Sequence, residues 1–306
     1  GNAMDQSSGA GELVVVRARG NAGHDPRHDT DEPAGTPALI ELSSVGHTYR
    51  SLTGRSVRAV DDLTLTIGGS EVFGLAGPNG AGKSTLISLL LGYLEPTDGT
   101  LRIAGMRPRA FVERHGIGYL SELVAIPPRW KLEETLYRYG TLAGVRAHAL
   151  GTRVEEVIGL LGLDEHRGKR VKQLSKGNLQ RLGLAQALLR EERVLILDEP
   201  THGLDPVWTQ RFRDVVQALR RPGRAIFIAS HNLDELQRLA DRVAIMDRGR
   251  LQRVVEPRGA GAPTGAMPYV ISVSADATVV QAGFPYARAR GVGLITSVQG
   301  MDGLLA

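Results

Sequence analysis

The segment Gly77-Pro78-Asn79-Gly80-Ala81-Gly82-Lys83-Ser84-Thr85 has residue types and a spacing that point directly to phosphate chemistry. It fits the pattern G-x-x-x-x-G-K-[ST] and lies between an apolar run, Val72 to Ala76, and a helix-patterned run, Lys83 to Leu91. Glycines let backbone N–H groups wrap around phosphate oxygens. A helix beginning at Lys83 aims the positive end of its dipole at them, and the lysine neutralises the β- and γ-phosphates. Ser84 is the expected Mg2+ ligand. A turn that merely joined strand to helix would not need Lys-Ser at this offset, so the loop implies binding of ATP or GTP.

Val194-Leu195-Ile196-Leu197-Asp198-Glu199 supplies a second constellation. Four apolar residues suit a strand buried on both faces, and two carboxylates follow at its carboxyl end. Asp198 is expected to hold the Mg2+ shell. Glu199 is placed to polarise an attacking water as general base, an effect worth about 10²- to 10⁴-fold in rate. A solvated strand exit also carries acidic pairs; the phosphate loop upstream favours the catalytic role.

These residues need elements to position them. Leu39, Ile40 and Leu42 open a strand, and Leu63, Leu65 and Ile67 alternate with Thr64 and Thr66 before Gly68-Gly69, which predicts an antiparallel hairpin region. A further β pair is expected from Leu101 to Ile103 and Ile117 to Leu120. From about Leu132 to Leu189 the apolar spacing is helical, as in Val154, Val157, Ile158 and Leu161, which predicts a helical subdomain within about 130–190. Strands and helices then alternate: Val194 to Leu197, Pro206 to Leu219, Ala225 to Ala229, Asn232 to Leu239 and Val243 to Met246. That order predicts α/β winding around a largely parallel sheet.

The ends read differently. Gly1-Asn2-Ala3-Met4 looks like a tag remnant before a start methionine, and 5–37 are too polar to bury much surface, so 1–37 are expected to be a disordered tail. Its His and Asp residues fit no metal-ligand spacing. The domain is expected to span 38–255, with a flexible Gly/Pro linker at 256–268 and a small β-rich appendage at 269–306 that stops abruptly.

Composition bounds the class. The 306 residues are 42% apolar and 23% charged, ordinary for a packed globular domain, with a formal charge of +4 from scattered arginines rather than a basic block. No nucleic-acid partner is expected on that distribution. Cysteine is absent, so disulfides and thiolate metal sites are excluded. The apolar stretch Leu86 to Leu94 is about half the roughly 20 residues a membrane helix needs, so any membrane connection must come through a partner chain.

Leu174-Ser175-Lys176-Gly177-Asn178-Leu179-Gln180-Arg181 resembles the signature sequence of ABC ATPases, usually Leu-Ser-Gly-Gly-Gln, with Lys and Asn in its third and fifth places. Ser175 is also a good N-cap, and a helix start bearing a hydroxyl and a glycine N–H is an anion site. His202-Gly203-Leu204-Asp205-Pro206 looks like the D-loop of the same family, where Asp205 could serve as helix cap, dimer contact or both. His231 matches the switch histidine, and Tyr49 stands either where the family stacks an aromatic on adenine or as an ordinary strand residue. Glu122 aligns with the Q-loop glutamine, and its charge would change how the Mg2+ shell senses nucleotide.

The resemblance covers about 38–255 and implies a phosphate-loop NTPase core of ABC type with an antiparallel β subdomain and a helical subdomain. It implies ATP and Mg2+ as ligands, hydrolysis at a head-to-tail dimer with a second copy or homologue, and Gly77 to Thr85 facing Ser175 and Gly177 of the partner. Catalytic roles fall to Lys83, Glu199 and His231, and metal roles to Ser84, Glu122 and Asp198. Thr201 to Pro206, Ile117 to Leu120 and Tyr139 to Gly144 resemble exporters of the ABC-2 type. Separate permease subunits would then hold the chain at the cytoplasmic face of the membrane. Two alternatives stay open: a soluble ABC ATPase acting on nucleic acid or ribosomes, and a nucleotide-binding regulator with little hydrolysis. Substrate identity is not legible, because membrane subunits choose it.

Overall fold

In the computed structural model, residues 38–51, 54 and 56–257 are described, together with three short strands at 268–271, 287–290 and 293–297. Strand β1 (Ala38–Arg50) pairs antiparallel with β2 (Ser56–Gly68), and β4 (Asp98–Ile103) adds to the other edge of β1. In β2 the side chains of Leu63, Leu65 and Ile67 are buried and Thr64 and Thr66 are exposed, as a strand with one wet face requires.

A six-stranded sheet forms the centre, in the order β5-β6-β7-β3-β8-β9. Its members are β3 (Val72–Ala76), β5 (Gly118–Leu120), β6 (Val194–Asp198), β7 (Ala225–Ser230), β8 (Arg242–Asp247) and β9 (Arg250–Val255). The five strands from β5 to β8 run parallel, and β9 is antiparallel to β8. Strands β3, β6 and β7 are buried at every position, the pattern of a sheet covered on both faces.

Alternation along these strands divides the apolar interior in two. Leu195, Leu197, Ile226 and Ile228 join the helical side, with Leu136 of α3 (Leu132–Leu142), Val154 and Val157 of α4 (Ala147–Leu160), and Leu182 of α5 (Lys176–Leu188). Val194, Ile196, Phe227, Phe73 and Leu75 join the other side, with Ile40 and Leu63 and with Leu86 of α1 (Lys83–Leu90). Helices α6 (Pro206–Leu219) and α7 (Leu233–Leu239) cover the helical side. Within the helical subdomain Arg167 meets carboxylates of Glu133, Glu155 and Asp164, which ties α3, α4 and the turn after α4 together.

One expected pairing is not made. Leu101 to Ile103 and Ile117 to Leu120 belong to different sheets: β4 lies against β1, with Ile40 opposite Ile103, and β5 lies against β6, with Tyr119 opposite Ile196. A helix, α2 (Pro108–His115), stands between them, with Pro at its start and Gly116 at its end. A connection that carries its own helix is long enough to change layers, whereas the apolar runs reveal only that two strands exist.

The strands β10 (Pro268–Ile271), β11 (Ala287–Arg290) and β12 (Gly293–Ser297) form an antiparallel sheet in the order β10-β12-β11. The expected tail at 1–37 and most of the expected linker lie outside the described residues. Among the described residues no helix is long and apolar enough to cross a membrane.

Strand β5 leads directly to Glu122, and it is seated by a glycine. A Cβ on Gly118 would lie 2.5 Å from the Ala187 carbonyl of α5 and 2.8 Å from Leu195. Gly118→Ala should destabilise the chain by about 1–3 kcal/mol through overpacking, measured by urea denaturation.

Candidate functional site

Three adjacent parallel strands bring the chemical residues together at their carboxyl ends. Asp198 at the end of β6 is opposite Ala229 of β7, and Ala76 at the end of β3 is opposite Ser230. The Gly77 N–H then donates to the Ser230 carbonyl at 3.3 Å, so the phosphate loop starts beside Ser230 and His231. Ligand sites in open α/β sheets form at such strand ends.

The loop, Lys83, Ser84, Thr85, Ala59, Glu122, Asp198 and Glu199 surround a cavity of about 340 Å3. Gly82 has φ 106° and carries the loop into α1; a Cβ there would meet the Ala59 carbonyl at 2.4 Å. The wall behind the loop is β-structure: the Gly249 N–H, in the β8–β9 turn, donates to the Ala81 carbonyl at 2.8 Å. Lys83 is buried, and its ammonium donates to the Gly77 carbonyl at 2.6 Å and the Pro78 carbonyl at 3.3 Å. Tyr49 stands at the rim, half exposed, its hydroxyl 3.4 Å from Thr85 Oγ1 and its ring edge-on to His47.

The acidic side of the cavity is crowded. Burial, with the neighbouring carboxylates of Glu122 and Glu199, pushes the Asp198 carboxyl up to about 6, and the Lys83 ammonium offsets only part of this. Three carboxylates beside one ammonium, with the Ser84 hydroxyl on the same wall, suit a divalent cation with oxygen ligands. The residues present therefore fit Mg2+ held by Ser84 and Asp198 with Glu122 nearby.

The carboxylate of Glu199 is aimed by the next strand. Its Oε2 accepts from the Ser230 hydroxyl at 3.0 Å, its Oε1 accepts from the His231 N–H at 2.9 Å, and His231 Nδ1 lies 3.0 Å from Oε1. The Glu199 backbone has φ 47°, a left-handed conformation that costs a non-glycine residue about 1–3 kcal/mol. Such strain persists only where the surroundings fix it, here at a buried acid beside the phosphate loop.

Ser175, Gly177 and Asp205 are not in this cavity. Ser175 caps α5 by accepting from the Asn178 N–H at 3.2 Å, and Asp205 caps α6 by accepting from the Trp208 N–H at 2.9 Å. Both helix starts lie side by side, since a Cβ on Gly177 would be 3.2 Å from the Gly203 carbonyl. Asn178, at a departure from the usual signature, bonds to His166 at 2.9 Å and to Arg181, whose guanidinium lies 3.9 Å over the Trp208 ring. Sequence reasoning missed Ser230, Ala59, Gln180 and Gly249. A hydroxyl directly before His231 at a strand end was a usable signal for Ser230; the others are visible only once strands and helices are packed.

A family model described as "ABC transporter" matches residues 60–202. The chain is 36% identical over 223 residues to the uncharacterized ABC transporter ATP-binding protein all4389 of Nostoc, covering 71% of this chain and 66% of that protein. It is 33% identical over 254 residues to Nod factor export ATP-binding protein I of Neorhizobium galegae, covering 81% and 70%. It thus spans about two thirds of the length of such relatives. In fold it is similar to the ATP-binding cassette MJ0796, solved as a dimer in a post-hydrolysis state bound to ADP and Pi. The TM-score is 0.66 at 21% identity, over 72% of this chain and 100% of that one.

The buried acids carry a cost that depends on pH. Asp198 is raised in the folded chain, so protonation favours the fold; stability present at acid pH is lost as pH rises through about 6. In chelator, Asp198→Asn should therefore raise stability at pH 8 by about 1–3 kcal/mol and change it little at about pH 3, below the ordinary aspartate value of 3.8. Thermal melts at the two pH values check this.

Proposed function

Because the chain belongs to the ABC transporter family as an ATP-binding subunit, we propose that it hydrolyses ATP at a head-to-tail dimer interface to drive export through separate transmembrane subunits. The observation that carries the catalytic part is the Glu199 carboxylate, held by Ser230 and His231 on the wall of the cavity that the phosphate loop closes. Loop N–H groups and Lys83 take the phosphates, and Tyr49 at the rim offers its ring to the base. Glu199 accepts a proton from water as its oxygen bonds to the γ-phosphorus and the bond to the β–γ bridging oxygen breaks, leaving ADP and phosphate. Ser84 and Asp198 would hold Mg2+, which when bound would supply neutralisation of phosphate charge.

The dimer reading is supported by the place of the signature-like segment. Ser175 is exposed and Gly177 half-buried at a helix start of the kind that binds anions, and neither lines its own chain's phosphate cavity. A second copy turned head to tail puts them on the γ-phosphate. Export is the activity named for the Nod factor relative, and it supports a reading in which permease partners hold this chain at the cytoplasmic face of the membrane. Which substrate crosses is a property of those partners.

Glu199→Gln should lower turnover at least about 100-fold while leaving an ATP-dependent dimer, read by phosphate release and by light scattering with and without ATP. Steady turnover in the variant would remove Glu199 as the base. Negligible turnover in the unmodified chain, alone and with permease present, would instead favour a nucleotide-binding regulator.

A further inference from the structure

Helix α5 begins at the signature-like segment and ends among the apolar residues of the helical side, yet one turn in from Ser175 it buries a polar side chain. Gln180 is 6% exposed, and its Nε2 donates to the carbonyls of Glu199 and Pro200, each at 3.2 Å. These are the backbone atoms around the residue whose φ is 47°. The same turn is held at two more points: the Glu199 N–H donates to the Ala229 carbonyl at 2.9 Å, and the His202 N–H donates to the Glu199 carbonyl at 3.0 Å. A left-handed glutamate persists only where its surroundings fix it, and Gln180 is the side chain that reaches this backbone from outside the β6 turn.

Resting on the general-base role of Glu199, we infer that Gln180 is a positioning residue for it. Its amide clamps the Glu199–Pro200 backbone so that the carboxylate meets Ser230 and His231 rather than swinging into the cavity toward Asp198. Nothing in this requires Gln180 to touch nucleotide; it lies outside the cavity lining. A displacement of the base of about 1 Å is enough to cost up to 10²-fold in rate. The clamp also joins two parts with different duties. The helix whose first residues are exposed at Ser175 is the one that holds the backbone of the buried base.

Gln180→Met keeps length and helix propensity and removes both donors. Its turnover should fall about tenfold, with KM for ATP and affinity for a fluorescent ATP analogue within about twofold of the unmodified chain. In a Glu199→Gln background, single-turnover hydrolysis should lose nothing further, because a clamp on the base has no effect once the base is gone. Gln180→Asn, which keeps the amide but shortens its reach, should show the same absence of further loss and serves if the methionine variant fails to fold. Turnover of Gln180→Met within twofold of normal, or an equal additional loss in the Glu199→Gln background, would overturn the clamp. Retained turnover in Glu199→Gln alone would overturn the general-base reading instead, so the two failures are distinct.

Discussion

Across the end of the sheet, the Glu199 carboxylate accepts from the Ser230 hydroxyl and the His231 amide, and this short span between β6 and β7 sets the terms for the rest of the site. It demands parallel strands in a fixed register, with Asp198 opposite Ala229. It demands that both strands be buried on both faces, since water entering between them would compete for the same acceptors. The helical layer on one side and the antiparallel β layer on the other meet that requirement with two separate apolar cores.

Much of this was legible from residue order. Val72–Ala76 and Pro206–Leu219 have the same bounds in the structure as in the apolar pattern, because a continuous buried strand and a Pro-started helix after an Asp cap have strong local signatures. The phosphate loop and the acidic pair were equally plain, for the chemistry needs those residues at those offsets. Partner choice between strands was not. Leu101 to Ile103 looks no different in sequence whether its neighbour is β1 or β5, and only the intervening α2 and the packing of Gly118 on α5 decide it. Gln180 escaped for a related reason: the carbonyls it meets lie 19 and 20 residues away in sequence.

Electrostatics give the site a cost of its own. Asp198, Glu122 and Glu199 share one cavity with a single lysine, an arrangement that burial makes worse for the folded chain and better for a cation. The departures from the family's usual signature are of another kind. Asn178 is engaged with His166 and Arg181, and Arg181 with Trp208, so a residue that departs from the family pattern has been absorbed into packing between α5, α6 and the turn after α4.

Lys83 gives the phosphate loop a character of its own. Its ammonium rests on the carbonyls of Gly77 and Pro78, so one side chain ties the first turn of α1 back to the beginning of the loop. A cation held by the loop's own backbone keeps its place relative to that backbone. The loop and its positive charge therefore form one preshaped cradle, with no long side chain left to search for its position.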